Sequence, residues 1–149
     1  MALYHHILVA IDGSHDADAA LAHAVALASD QNARLTLLTV APPPTPTAGV
    51  GGAAPPDPLE IHASLLREAA AALPPQTGVT TRLERGDAAE TIISLAEREG
   101  HDLIVMGSHG HSRFHRALLG SVSERVLKAS ATPVLLMRGP KPPPAPPES

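Results

Sequence analysis

Short apolar runs that alternate with helix-like stretches constrain the fold of this chain more than any other feature. Five such runs occur, at residues 7–11, 35–40, 79–84, 103–106 and 134–137. The first and fourth are apolar at consecutive positions, which is typical of strands that are covered on both faces. Strands that alternate with helices predict an α/β fold with right-handed crossovers. We therefore expect a doubly wound, five-stranded parallel sheet with helices on both of its faces.

Cap residues and prolines mark the ends of the four helix-like stretches between these runs. The stretches cover residues 15–29, 57–73, 87–100 and 121–131. Asp57 and Pro58 supply an N-cap and a proline at the first helical position, and Asp87 opens the next helix in a similar way. The run Ser121–Val122–Ser123–Glu124 has the pattern of a capping box. The third apolar run mixes polar and apolar residues, which predicts a partly exposed edge strand.

Two segments have a composition that no helix or strand favours. Residues 41–56 consist mostly of Pro, Gly, Ala and Thr, and six of the ten residues in 140–149 are proline. Proline removes backbone donors and glycine adds conformational entropy, so both segments are expected to be irregular. Since 149 residues suit one domain, we expect a single domain at 1–139 with a flexible loop at 41–56. The tail at 140–149 is expected to be disordered.

The composition excludes several classes of function. The chain has no cysteine, which rules out disulfides, thiolate metal sites and cysteine catalysis. It has one Phe, one Tyr and no Trp, and its formal net charge is −4. Proteins that bind single-stranded nucleic acids usually need aromatic platforms and a positive groove. Nucleic acid is therefore not expected to be the main partner.

The chain carries no apolar stretch of the roughly 18–20 residues that a membrane helix needs. Its first six residues, Met1–His6, lead directly into a strand-like run and lack the blocks of a signal peptide. We therefore expect a cytoplasmic protein without a membrane-spanning segment.

The glycine-framed loop after the fourth run is the strongest candidate for a binding site. It reads Gly107–Ser108–His109–Gly110, nine further residues, then Gly120–Ser121. Glycines allow the backbone to approach a ligand closely, and a helix start offers unpaired N–H groups to an anion. The hydroxyls of Ser121 and Ser123 are expected to donate to phosphate. A simpler interpretation is that the glycines only turn the chain and that Ser121 only caps its helix.

Neither of the common nucleotide motifs is present in the chain. No Gly-Lys-Ser/Thr occurs, and no G-x-G-x-x-G follows the first run. The spacing G-x2-G-x9-G-S/T instead resembles the nucleotide-binding signature of the universal stress protein family. The likeness extends over residues 5–138. It includes the segments 7–14, 86–87, 102–108, 118–126 and 133–136.

The resemblance implies the strand order 3-2-1-4-5 and the binding of ATP, either with or without Mg²⁺. Asp12 resembles the acid that contacts the ribose or an associated Mg²⁺, and Val40 the residue whose backbone meets the adenine edge. The other residues that resemble the family's binding site are Ala10 and Met106 as walls, Gly107, Ser108, His109 and Gly110 on the ribose and phosphate side, and Gly120, Ser121, Val122 and Ser123 at the phosphate-binding helix start.

Several residues of this region allow more than one interpretation. Asp12 also suits an Asx-turn or cap before the first helix. Arg113 and Arg116 either reach a phosphate or stay solvated. His109, His111 and His115 lie close enough in sequence to suggest a metal site, although structural zinc sites normally need four ligands. Near phosphates, the same histidines would instead strengthen anion binding as they become protonated.

The fifth apolar run, Val134, Leu135, Leu136 and Met137, would form an edge strand in this order of strands. An open apolar edge promotes aggregation unless something covers it. We expect two such edges to pair in a two-fold homodimer, as the family resemblance also implies. Cover by the chain's own tail is the alternative.

Three functional hypotheses follow. The first is an ATP-binding regulator of the stress response, whose conformation or choice of partner depends on the bound nucleotide. The second is a slow Mg²⁺-dependent ATPase, for which the sequence shows no dedicated base. The third is a dimeric interaction module that binds no nucleotide and uses its Pro-rich segments.

Overall fold

Five parallel strands form the sheet in the computed structural model, which describes residues 2–44, 56–109 and 119–139. The strands are β1 (His6–Ala10), β2 (Arg34–Ala41), β3 (Val79–Arg85), β4 (Leu103–Gly107) and β5 (Val134–Met137). Their order in the sheet is β3-β2-β1-β4-β5, and every neighbouring pair is parallel. The predicted fold class and strand order are confirmed.

Four helices cover the two faces of this sheet. They are α1 (His15–Gln31), α2 (Pro58–Ala71), α3 (Ala88–Arg98) and α4 (Ser121–Ala129). Side chains of α1 and α2 pack with one aliphatic cluster, and those of α3 and α4 pack with a second cluster. From β1 to β3, each new strand is added on one side of β1. The order then reverses, because β4 pairs with β1 on the side opposite β2. This reversal places α3 and α4 on the other face, as right-handed crossovers require.

Most helix starts follow the predicted cap chemistry. The Asp57 side chain accepts from the N–H of Leu59, and Pro58 occupies the first helical position. The Asp87 side chain accepts from the N–H of Glu90. The capping box predicted at Ser121 is wrong. The N-cap of α4 is Gly120, whose extended backbone precedes the helix and which has no side chain to cap it.

Some element ends also differ from the sequence prediction. Ala41 belongs to β2, where it is fully buried and pairs with Arg85, rather than to the loop. Helix α1 continues to Gln31 because Asn32 ends it in the left-handed conformation at φ 52°. Asparagine tolerates this conformation better than most residues, which makes it a suitable helix terminator.

The core is aliphatic and lies on both sides of β1. Ile7 and Val9 face the cluster under α1 and α2, whereas Leu8 faces the cluster under α3 and α4, and all three are fully buried. Burying one such side chain contributes about 1.5–3 kcal/mol. The prediction that β1 is covered on both faces is confirmed.

Some predictions concern residues outside the described ranges. They are the flexibility of most of the 41–56 loop, the disorder of the 140–149 tail and the roles of Gly110, His111, Arg113, His115 and Arg116. In the described part of the chain, no helix is both long and apolar enough to cross a bilayer.

Candidate functional site

A cavity of about 240 Å³ opens at the carboxyl ends of β1, β2 and β4. β1 has β2 on one side and β4 on the other, so this is the point where the strand order reverses. In parallel α/β sheets, ligands bind in the crevice at this kind of position. The predicted site residues that line the cavity are Ala10, Asp12, Val40, Met106, Gly107, His109, Gly120, Ser121, Val122 and Ser123.

The inner walls of the cavity are aliphatic. Leu38 and Ile92 line it together with Ala10, Val40 and Met106. The sequence prediction missed Leu38 and Ile92, although periodicity could have found both. Leu38 precedes Val40 by two residues and so shares its face of β2, and Ile92 follows the lining residue Ala88 by one turn of α3. A flat apolar ring would therefore meet aliphatic side chains on several sides.

The start of α4 supplies the polar side of the cavity. Ser121, Val122 and Ser123 form its first turn, and all three line the cavity. First-turn amides have no partner within their own helix, and they carry the positive end of the helix dipole. Among the four described helices, the side chains of Ser14, Asp57 and Asp87 cap the other three. The α4 first turn has no side-chain cap and faces the cavity.

Hydrogen bonds join the two ends of the glycine-framed loop. The N–H of Gly120 donates to the carbonyl of Ser108 at 2.7 Å, and the Ser108 N–H donates to the carbonyl of Met137 at 2.8 Å. The Ser123 hydroxyl donates to the carbonyl of Gly107, also at 2.7 Å. The hydroxyl proton of Ser123 is therefore used in a bond to the end of β4. The sequence had instead predicted that it donates to a phosphate.

Asp16, which the sequence prediction missed, fixes the first part of the loop. Its carboxylate accepts from the Ser108 hydroxyl and from the His109 N–H, both at 3.0 Å, and from the Gly139 N–H at 2.6 Å. Burial alone would raise the pKa of Asp16, but these hydrogen bonds outweigh it, and its pKa lies below the ordinary value. Ser108 is thus buried behind the cavity wall and is not among the lining residues.

Nothing in the sequence marked Asp16 apart from its place in the first turn of α1. Acidic residues are common there because they complement the helix dipole, so this position carried no signal of a longer-range contact. The partners of Asp16 lie 92, 93 and 123 residues away along the chain.

Asp12 combines the two roles that the sequence left open. Its Oδ1 accepts from the N–H of Ser14 at 2.9 Å, which is an Asx-turn, and the residue also lines the cavity. Gly13 follows at φ 83°, a conformation that favours glycine, and turns the chain into α1. The Asx-turn therefore fixes the position of the Asp12 carboxylate in a residue that lines the cavity.

Val40 lies at the edge of β2 that faces β1. The bonds from Arg34 N–H to His5 C=O and from Ile11 N–H to Leu38 C=O show that even-numbered residues of β2 present their main-chain groups to β1. Val40 follows Leu38 on the same edge, one step beyond the Ile11 bond, and lines the cavity. Its N–H and C=O therefore offer one donor and one acceptor to the cavity side of the strand.

The described part of the lining contains no lysine or arginine, and its titratable side chains are Asp12 and His109. An anion bound here would rely on backbone amides and the α4 dipole for its neutralisation, apart from any contribution of the residues at 110–118. Within the described ranges, no three His, Cys, Asp or Glu side chains form a group that could hold a metal ion. The predicted His109, His111 and His115 cluster lies partly outside those ranges.

A family model described as "Universal stress protein family" matches residues 3–138. The stress response protein NhaX of Bacillus subtilis is 34% identical over 161 aligned positions, which cover 89% of this chain and 96% of that protein. Universal stress protein MJ0577 of Methanocaldococcus jannaschii is 51% identical over 49 residues, a stretch that spans 33% of this chain and only 30% of MJ0577.

Solved structures share the whole fold. The universal stress protein UspA from Lactobacillus plantarum has a TM-score of 0.72 and is 29% identical, and the match covers 93% of this chain and all of that one. A universal stress protein in complex with cAMP has a TM-score of 0.69 and is 28% identical, with coverage of 93% and 100%.

Proposed function

Because this chain belongs to the universal stress protein family, we propose that it binds ATP and acts as a nucleotide-responsive regulator in the cytoplasmic stress response. The start of α4 is the observation that carries this proposal. A helix that lacks a side-chain cap directs its first turn into a cavity at the point where the strand order reverses. Such a helix end favours an anionic ligand.

The lining suggests how the parts of ATP are distributed. The adenine ring lies between the aliphatic walls of Ala10 and Met106, with its polar edge at the main chain of Val40. The ribose lies beside Asp12, and the phosphates lie at the amides of Ser121, Val122 and Ser123. Gly110, which the family resemblance puts on the phosphate side, and Arg113, a candidate phosphate contact, complete the proposed site.

The residues present fit a magnesium ion that enters with the nucleotide. Mg²⁺ is commonly held by one or two carboxylates together with substrate phosphates, and it keeps several water molecules. Asp12, which lines the cavity, supplies one carboxylate. The ion would offset the charge of the phosphates in a lining whose described residues include no lysine or arginine.

The solved complex of a related protein with cAMP supports an adenine nucleotide as the class of ligand. ATP shares the adenine, the ribose and the anionic phosphate with cAMP. We favour ATP because three consecutive first-turn amides and a long loop suit a chain of phosphates better than a single cyclic one.

We further propose a homodimer that pairs through β5. The carbonyls of Pro133 and Met137 accept bonds from β4, so the odd-numbered residues of β5 face β4. The N–H and C=O groups of Val134 and Leu136 therefore point to the open edge, while those of Leu135 and Met137 point to β4. Two such edges, related by a two-fold axis, would extend the sheet across the interface.

A titration with ATP and Mg²⁺, followed by calorimetry, tests the proposed binding. In the variant Gly120→Asp, a carboxylate would cap α4 and occupy the anion position. The backbone of Gly120, at φ −71° and ψ 164°, is open to any residue. We expect at least a tenfold loss of ATP affinity with unchanged or slightly higher stability, since an Asp N-cap exceeds a Gly N-cap by only about a few tenths of a kcal/mol.

Gly78→Asp is the matched control, because it adds the same charge at a glycine with open space around it, at the far end of β3. ATP affinity should be unchanged in this variant. If the wild-type protein binds no ATP at millimolar concentration, the proposal is wrong, and the dimeric interaction module becomes the better interpretation.

One observation favours slow hydrolysis of ATP as a second candidate. The Nδ1 atom of His109 lies 3.3 Å from Oδ2 of Asp16, and the residue lines the cavity. A proton on Nδ1 would leave Nε2 able to accept a proton from an attacking water. Steady phosphate release that disappears in His109→Gln, with ATP affinity retained, would support this activity. Release that persists in this variant would show that His109 is not the base.

A further inference from the structure

The carboxylate of Asp16 joins three parts of the chain that are distant in sequence. Asp16 itself lies in the first turn of α1. Its Oδ2 accepts from the Ser108 hydroxyl and the His109 N–H at the start of the glycine-framed loop. Its Oδ1 accepts from the N–H of Gly139, two residues after the end of β5. Each carboxylate oxygen therefore serves a different segment.

Close backbone packing holds the same segments against α1. A Cβ added at Gly107 would lie 2.8 Å from the N atom of Ala17 and 2.8 Å from Cβ of Asp16. A Cβ added at Gly139 would lie 2.9 Å from the carbonyl oxygen of His15. Neither segment can shift toward α1. A displacement of the loop would therefore act on the carboxylate that also holds Gly139.

The α1 start also contacts His109 from a second side. The Ser14 hydroxyl, which caps α1, lies 3.5 Å from the carbonyl oxygen of His109. The N–H and the carbonyl of this one residue are thus both held by the start of α1. Because His109 lines the cavity, a ligand there would meet a loop whose position is set by Asp16.

We propose that Asp16 is a positioning residue that couples the nucleotide site to the chain that leaves β5. Binding at the loop after β4 tightens the contacts of Oδ2, and the shared carboxylate transmits this to Gly139. Ligand binding at the site thereby changes the hydrogen bond of the Gly139 N–H, which lies between the end of edge strand β5 and the Pro-rich segment. This inference rests on the proposed function, because it assigns a regulatory output to the same cavity.

The variant Asp16→Asn tests this coupling without a change of side-chain shape. Asparagine keeps one acceptor oxygen and replaces the other with an NH₂ donor. One of the two segments must then face a donor instead of an acceptor. Asp18→Asn is the matched control, because Asp18 is an exposed acid in the same first turn and makes the same contribution of charge to the helix.

Hydrogen exchange of the backbone amides, measured with and without ATP, gives the decisive readout. In the wild-type protein and in Asp18→Asn, ATP should slow exchange at His109 and also at Gly139. In Asp16→Asn, ATP affinity should fall roughly tenfold or more. At saturating ATP, exchange at Ser121–Ser123 should still slow, whereas exchange at Gly139 should no longer respond. A general loss of stability would not separate these two segments.

Two results would overturn the coupling. The first is a wild-type protein that binds ATP with no change in exchange at Gly139, which would leave the proposed function standing. The second is an Asp16→Asn variant whose Gly139 amide responds to ATP as in the wild type.

If the wild-type protein binds no ATP, the proposed function fails. Exchange rates measured without ligand then still test whether Asp16 holds both segments. Asp16→Asn should then exchange faster than Asp18→Asn at both His109 and Gly139. Equal rates in the two variants would contradict the role of Asp16 as an anchor.

Discussion

The hydroxyl of Ser123 donates to the carbonyl of Gly107 at 2.7 Å and joins the first turn of α4 to the end of β4. Both residues line the cavity, and the Ser123 side chain is buried. The two residues are 16 positions apart in the sequence and lie on either side of the glycine-framed loop. The start of α4 is therefore positioned by a side chain that the sequence prediction assigned to the ligand.

Ser123→Ala should destabilise the protein by about 0.5–1.5 kcal/mol, because the part-buried hydrogen bond to the Gly107 carbonyl is lost. Urea unfolding measures this difference. The neighbouring Ser121 is exposed, so Ser121→Ala is the control and should change the free energy of unfolding by less than about 0.5 kcal/mol. Equal effects of the two substitutions would show that the Gly107 contact contributes little.

Gly107→Ala should destabilise the protein by about 1–3 kcal/mol, because the added methyl group overpacks the start of α1. The new Cβ would lie 2.8 Å from the backbone N of Ala17, and backbone atoms cannot move aside as a flexible side chain can. Thermal unfolding checks the prediction. Gly78→Ala, with no atom within 4 Å of the added group, should leave the melting temperature nearly unchanged.

A pair of histidines with rings in contact, tilted by 33°, lies at the opposite end of the sheet from the cavity. The Nε2 atoms of His6 and His101 lie 3.0 Å and 2.9 Å from Oγ1 of Thr36, and the ring centroids are 3.8 Å apart. Thr36 has one proton to donate, so at most one imidazole accepts from it and at least one donates to its oxygen. Burial, and then the neighbouring His6, lower the pKa of His101 from 6.5 to about 4.

This shift predicts that mild acid destabilises the protein. Between pH 6.5 and about 4, the unfolded chain binds a proton on His101 that the folded chain does not bind. The contribution of neutral His101 to stability is therefore fully present above pH 6.5 and is lost as the pH falls toward 4. The loss at about pH 5 should be on the order of 2 kcal/mol, measured by urea unfolding.

His101→Gln should reduce this loss between about pH 7 and pH 5, because glutamine does not titrate there. The control is His23→Gln, at an exposed histidine of α1. An unchanged pH dependence in His101→Gln would assign the effect to other groups.

Leu136→Pro should dissociate the proposed homodimer while the monomer stays folded. Proline removes an N–H that points to the open edge of β5, and edge strands tolerate this loss. The dissociation constant, measured by sedimentation, should rise roughly tenfold or more. Leu136→Ala is the control, because it removes the same side chain and keeps the N–H. If both variants remain dimeric, the interface does not lie on this edge.

Leu135→Pro completes the comparison. Its N–H faces β4, so proline at this position should disrupt the sheet itself and lower stability. If sedimentation shows that the wild-type protein is a monomer, the proposed pairing through β5 is contradicted.

The fold was predictable because its signals are local and repeated. Consecutive apolar residues at Ile7, Leu8 and Val9 indicated a strand buried on both faces, and they are fully buried. Asp57 and Asp87 marked helix starts through short-range cap chemistry that the structure confirms. The strand order came from a family resemblance and not from periodicity, since local patterns do not determine which strands become neighbours.

The candidate site was predictable only in part, because its supporting contacts are long-range. Sequence spacing brought Gly107 and Gly120 to attention, and both line the cavity. It could not reveal that Asp16 anchors the loop, since the partner residues lie about a hundred positions away. The start of α4 was misplaced by one residue, because glycine and serine are both common at helix starts, and no capping box forms there.

The absence of a side chain at Gly120 has a thermodynamic consequence. A serine or aspartate there would strengthen α4 permanently, as such residues do at the other three described helices. With glycine, the side-chain hydrogen bond is absent, and a ligand that binds the helix start adds a stabilisation that rises with the logarithm of ligand concentration. In the proposed function, the nucleotide is a removable helix cap, and the folding stability of this protein becomes a gauge of the ATP around it.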